Sequence, residues 1–295
     1  AVTRCEVAAF RLNRRWFGEH STKDHVVPPV VVRALHRDVP CNRACAKVPR
    51  LVGASLPATF PELNDHLVIG ALSTWILGAK EPEKLRELWD PARAKRSPQY
   101  LRSISDTMAF LFLISHGDAN YGPNFLLRLP ELDRVYSIDN GRAFDGVPFY
   151  TRDADPDWRP LAELSPEKLL VPSLRRSTIE RLATPEFSKA QLGRELFLVA
   201  AVDLASGRSV AVPAQDPRLA AHSMRPLAAI PDLQKRSRQT YISKLDPSGP
   251  PWLLLGIGDA GVQKLAERAQ ALYRSALRRA EKRPDTLLSD EGQAP

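Results

Sequence analysis

His116-Gly117-Asp118-Ala119-Asn120 and Asp139-Asn140-Gly141 are the places in this chain where residue types and spacing could do chemistry. Both clusters carry side-chain oxygens suited to a hard cation, and both are also built from good turn formers. Between them lie two short apolar runs, Phe125–Leu129 and Val135–Ile138, that read as a β-hairpin closed around Pro130–Asp133. A hairpin with an Asp and an Asn before its first strand, and another Asp after its second, can aim three oxygen ligands at one point. Magnesium held against phosphate oxygens needs that arrangement. Either cluster alone would pass for an ordinary turn, and Asn140-Gly141 for a tight hairpin turn. The pair, separated by a single hairpin, is far more specific. Asp139 also ends an apolar strand, where a carboxylate meeting neither a donor nor a metal would be costly.

The elements that must hold these clusters follow from periodicity. Residues 3–17 have helical spacing, with Val7, Phe10, Leu12, Trp16 and Phe17 on an apolar side and Gly18 as a stop. The β-branched run His25–Leu35 fits an edge strand that turns at Pro28-Pro29. Residues 37–65 are Pro-punctuated loop, Leu67–Leu77 a buried helix ending at Gly78, Pro82–Asp90 a short amphipathic helix, and Arg93–Pro98 a basic connector. Ser105 and Asp106 are expected to cap a buried helix over residues 107–115, which delivers His116. Further helices are expected at Leu161–Glu163, Pro166–Leu170, Leu174–Ala183, Lys189–Ala205, Pro231–Leu245 and Ala260–Lys282. A Pro-rich excursion lies between two of these, at 210–231, and residues 284–295 form a frayed tail.

Bulk properties narrow the function classes. A chain of 295 residues that is 43% hydrophobic can bury a large core, as one domain or two lobes, and is not wholly disordered. No apolar stretch approaches the ~20 residues of a membrane span. The net charge of +8 gives a modest attraction for anions such as nucleotide phosphates. Its Lys and Arg residues form no aromatic-interleaved stripe, so dedicated nucleic-acid binding is not expected. Of three cysteines, Cys41 and Cys45 sit in CNRAC with no second Cys/His pair at zinc-finger spacing, which argues against structural zinc. The six histidines are dispersed, and only His116 lies beside the clusters, where bracing the loop suits it better than acting as a base. Gly256-Ile257-Gly258-Asp259-Ala260-Gly261 is formally a dinucleotide fingerprint. Only residues 262–295 follow it, however, with no room for a second strand carrying a ribose-binding acid. Asp259 is better read as the cap of the last helix.

The segment HGDANYGPNFLL followed by VYSIDNGRAF resembles the catalytic loop and metal-binding turn of the atypical kinase-like superfamily. That group includes phosphatidylinositol-kinase-like proteins, HipA-type kinases, secretory kinases related to four-jointed, and spore-coat CotH kinases. The stretch CEVAAFRLNRRWFG with HVVPPVVVRAL is similar to the helix and strand that follow the nucleotide-binding lysine in bacterial members. The resemblance implies an α+β kinase-like fold, with a small incomplete N-lobe and connector over 1–100. A mostly helical C-lobe would span 101–283, with its catalytic hairpin at 114–144. It implies ATP and Mg²⁺ as cofactors and transfer of a phosphoryl group to a hydroxyl on a protein, lipid or small molecule.

Carried over, Asp118 would be the catalytic Asp, Asp139 the Asp that bridges Mg²⁺ to the phosphates, and either Asn124 or Asn120 the second metal ligand. Glu6 would be the helix Glu that pairs with the phosphate-binding lysine, and His116 and Asn140 would line the nucleotide site. Only five residues precede Glu6, so the expectation is a chain that has lost its first strands or a degenerate kinase. Lys47 and Lys80 are the substitutes available for the lysine, with no spacing to favour either. A pseudokinase-like scaffold is the alternative, and the compartment stays open, with the cytoplasm as default.

Overall fold

The computed structural model describes residues 2–18, 25–36, 67–74, 76–82, 90–116, 124–128, 133–144, 173–203, 209–211, 240–243 and 252–288. It is an α+β chain whose strands fall into small separate sheets. Helix α1 (Val2–Phe17) forms where the helical spacing predicts it, and Gly18 ends it at φ +89°. Cys5, Ala8, Ala9, Leu12 and Trp16 make its buried stripe. Trp16 fixes the helix in the core. Its ring stacks on Phe110 with centroids 6.0 Å apart and meets Phe187 edge-on, while its indole N–H donates to Thr178 O at 2.8 Å.

Strands β1 (Val30–His36) and β2 (Leu67–Ser73) pair antiparallel, with Val31 opposite Leu72. The run Leu67–Leu77 is therefore a strand leading to a turn at Gly78, not a buried helix. A short apolar run cannot be told from a helix by period alone, and here Val68 and Ile69 take the strand. The expected basic connector is helix α2 (Pro91–Arg96), capped by Asp90 through the N–H groups of Ala92 and Arg93.

Helix α3 (Pro98–Ile114) begins well before the expected start, because Ser97 is its cap and Pro98 its first residue. Ser105 and Asp106 are buried in its interior. Asp106 instead forms a buried ion pair with Arg175 at 2.8 Å, shared with the Thr178 hydroxyl. Residues Pro82–Asp90 lie largely outside the described residues, as do 37–65, 161–163 and 166–170.

The hairpin forms as β3 (Phe125–Arg128) and β4 (Arg134–Ser137), in the register Phe125↔Ser137. Leu127 turns its N–H and C=O away from β4, towards Lys80, in bonds of 2.7 and 2.8 Å. Val135, opposite Leu127, turns its own away from β3, towards α3. Its N–H donates to Ser103 Oγ at 2.9 Å, and its carbonyl accepts from Thr107 Oγ1 at 3.2 Å. Ser103→Ala would leave that buried N–H without an acceptor. We expect a loss of about 2 kcal/mol, read as a lower denaturation midpoint with unchanged slope.

The second half is less helical than the sequence suggests. Arg175 joins Leu174 in a two-residue strand β5, followed by α4 (Arg176–Arg181). Helix α5 spans only Lys189–Leu196, and the chain then enters β6 (Ala200–Asp203). β6 joins β7 (Ser209–Ala211), β8 (Thr240–Ser243) and β9 (Trp252–Leu255) in an antiparallel sheet of order β7-β6-β9-β8. Residues 200–203 and 240–243, expected within helices, are thus strands, and both pair with β9.

Helix α6 (Gly258–Lys282) follows β9. A Cβ on Gly256 would lie 1.7 Å from Phe197 O, so the backbone itself packs there, and Gly258 takes φ +67°. These glycines serve close packing and a turn. Asp259 is not the cap, which falls at Ile257; it stands in the first turn and pairs with Lys189 at 3.2 Å. The tail is not wholly frayed either, since Leu287–Leu288 form β10, parallel to β5. No helix among the described residues is long and apolar enough to cross a membrane.

Candidate functional site

The site is assembled by α1, the end of α3 and the hairpin. Asn13 on α1 accepts the N–H groups of Val26 and Val27 through Oδ1, at 2.8 and 3.2 Å. Val26 O accepts the Ser137 N–H at 2.7 Å, and His25 O accepts Arg134 Nη2 at 3.1 Å. The short segment 25–27 therefore ties α1 to β4. Along α1, this brings Glu6 against the turn after β4, which forms a 3₁₀ helix over Asn140–Arg142.

Two hydrogen bonds fix the rest. Ile138 N–H donates to Asn124 O at 2.9 Å, so the residues before β3 and after β4 stay together. Phe144 N–H donates to Ile114 O at 2.6 Å and binds the Asp139-Asn140 turn to the end of α3, two residues before His116.

Glu6 is the electrostatic centre. Burial pushes its carboxyl from an ordinary 4.5 up to about 7, and the negative charge of Asp139 adds to the rise. Hydrogen bonds from the Asn140 N–H and side chain, together with the charge of His116, pull the other way but more weakly. Glu6, Asp139, Asn140 and His116 thus act on one another, although α1 and the turn are far apart in sequence.

These residues and Asn124 differ in exposure, with Glu6 half-buried. His116 and Asn140 are fully buried and Asn124 nearly so, while Asp139 is exposed. The expected cost of burying the Asp139 carboxylate does not arise, because it faces outward. Its backbone carries strain instead, at φ +51°, and Ser115 and Phe144 on either flank of the site have φ +50° and +71°. Non-glycine residues rarely adopt that region, and such strain gathers where function over-determines the backbone.

Asn140 is held inward. The Ser137 hydroxyl donates to its Oδ1 at 2.8 Å, and its amide serves Glu6. It braces Glu6 from inside the turn. Ser137 had no part in the sequence expectation; its place three residues before Asn140 is a spacing at which a hydroxyl closes a local side-chain turn. Asp118 and Asn120 lie outside the described residues, as does Lys47. Lys80 is exposed and reaches the hairpin through its backbone.

The carboxylates that act on each other at the turn are Glu6 and Asp139, while Asn124 is tied to the turn through its backbone carbonyl. No three His, Cys, Asp or Glu side chains converge as a metal cage among the described residues. The mutual repulsion of Glu6 and Asp139 is the electrostatic state that a divalent cation relieves. No protein-family model matches the chain, and a comparison with curated proteins also returns no match.

Proposed function

We propose that the chain is a kinase-like phosphotransferase that uses ATP and Mg²⁺ to phosphorylate a hydroxyl on a protein, lipid or small molecule. The observation that carries this reading is the meeting of Glu6 on α1 with the Asp139-Asn140 turn, beside His116. The resemblance in sequence assigns Glu6 and the Asp139-Asn140 turn to one nucleotide site, and no local pattern would bring them together. The backbone bridge between Lys80 and Leu127 supports the same reading, since it joins the segment after β2 to the hairpin as a connection between two lobes would.

In this reading Asp139, with Asn124 or Asn120, would hold the metal, which neutralises phosphate charge when bound. Asp118 orients the substrate hydroxyl and accepts its proton, and Asn140 and Glu6 keep the metal-binding turn in place. Catalysis is mainly positioning and charge neutralisation. A thermal-shift titration tests it. At about 100 times Kd, Mg·ATP should stabilise the protein by about 2.7 kcal/mol, and ATP with EDTA should not. Absence of a Mg-dependent shift would overturn the reading.

A pseudokinase-like scaffold is the second reading, and one observation favours it. Among the described residues no Lys or Arg contributes to the displaced titration of Glu6, whose hydrogen-bond donor is Asn140. Stabilisation by Mg·ATP with no phosphate release or transfer would select that reading over turnover.

A further inference from the structure

The last four carbonyls of a helix need partners from outside its own ladder. At the end of α3 they are all accounted for. Leu111 O accepts the N–H groups of Ser115 and His116, and Phe112 O that of Ser115. Ile114 O takes the N–H of Phe144. Leu113 O is served from much farther along the chain, by Arg268 Nε of α6 at 2.6 Å. The last turn of α3 carries no basic residue of its own, so Arg268 also supplies the positive charge that a helix C-terminus favours.

The guanidinium is an unusual choice for packing alone. Burial lowers its pKa to about 10, and among the described residues the charge that offsets this is Glu267, its neighbour on α6. It remains a cation at neutral pH. Its Nη2 is buried with no hydrogen-bond acceptor, so the group is anchored through Nε and by charge against the helix end. A buried cation held against a helix end, with no ion pair to it among the described residues, is retained against its desolvation cost, which marks it for a role beyond filling space.

We infer that Arg268 is a positioning residue for the candidate site, holding the end of α3 so that His116 stands at a fixed height against Glu6 and the Asp139-Asn140 turn. The inference rests on the phosphotransferase reading for its effect on turnover. Leu113 lies three residues before His116 and one before Ile114, whose carbonyl carries the bond to Phe144. Releasing Leu113 O lets this turn of helix shift, and both halves of the site move relative to each other.

The test compares Arg268→Gln, which keeps a donor without charge, with Arg268→Lys, which keeps the charge. In Arg268→Gln, kcat should fall about tenfold or more, because small misplacements remote from the chemistry are expensive. KM for Mg·ATP should stay within about twofold, because a misalignment felt only in the transition state lowers kcat and kcat/KM equally. Arg268→Lys should recover most of kcat, and the recovery should fade as pH rises, because a desolvated lysine loses its proton earlier than arginine. Wild-type kcat in Arg268→Gln, or no recovery in Arg268→Lys at any pH, would overturn the inference.

The His116 ring signals in NMR, assigned by their absence in His116→Asn, give a readout independent of turnover. They should move in Arg268→Gln and return in Arg268→Lys; unmoved signals would also overturn it. A wild-type protein with neither Mg-dependent stabilisation nor turnover would instead sink the phosphotransferase reading, and the ring signals would then decide the place of Arg268 alone.

Discussion

Asp139→Ala should abolish Mg-dependent nucleotide stabilisation while leaving the protein folded. The expected loss is the whole of the ~2.7 kcal/mol that Mg·ATP gives at about 100 times Kd. Folding should survive, because the Asp139 carboxylate is exposed and makes no capping bond to the turn that it precedes. What it does carry is a backbone at φ +51°, which alanine tolerates less well than aspartate.

Two companion variants separate strain from ligation. Asp139→Gly relieves the backbone and Asp139→Asn keeps a left-handed-tolerant side chain with one oxygen, yet both remove the charge. If ligation is the role, all three lose the Mg-dependent shift. If Asp139→Gly binds Mg·ATP as the wild type does, Asp139 is not a metal ligand. A second consequence follows from the pairing with Glu6. Removing the Asp139 charge removes the second cause of the raised Glu6 titration, so the unliganded variant should be less penalised above neutral pH than the wild type.

Local signals made the site legible and remote pairing hid the rest. The hairpin could be read because two apolar runs, a Pro-Asp turn and polar clusters all lie within one short stretch, where strand period and turn chemistry agree. Helix α1 was legible for the same reason. That Glu6 of α1 meets Asp139 was not legible: the resemblance paired Glu6 with a lysine, and the contact depends on Asn13 capturing residues 26 and 27 and on Trp16 seating the helix.

The misread elements share a cause. Leu67–Ser73, Ala200–Asp203 and Thr240–Ser243 are short runs whose identity is set by strand partners outside the run, the first two by partners distant in sequence. Asp106 looked like a cap because Asp favours caps, and only the arrival of Arg175 makes it a buried ion pair. The true cap signal, Ser97 before Pro98, was present in the sequence and was overlooked. Arg268 gave no signal, since one arginine on a basic helix is ordinary until its partner carbonyl is known.

Glu6→Gln should raise stability at neutral and alkaline pH, by an amount that grows across a defined window. A carboxyl with a folded-state pKa of about 7 and an ordinary value of 4.5 is neutral in both states below about 4.5. As pH rises through the window, the unfolded chain ionises while the folded one resists, so the wild type loses stability until the folded carboxyl also ionises near 7. The shift corresponds to about 3 kcal/mol at full effect. Glutamine never ionises and can still accept from Asn140, so the variant escapes the loss. Denaturation midpoints at pH 5 and pH 8 measure it: the gap between variant and wild type should be small at the first and near its maximum at the second.

Parallel curves for the two proteins would mean that Glu6 is not titrating against Asp139 and burial as described. Magnesium with nucleotide gives the functional half of the same experiment. A cation held by Asp139 would offset the charge that opposes ionised Glu6, so Mg·ATP should raise wild-type stability at pH 8 and narrow the gap that the substitution opens. The penalty that Glu6 imposes on the empty fold is then part of the binding free energy of the metal.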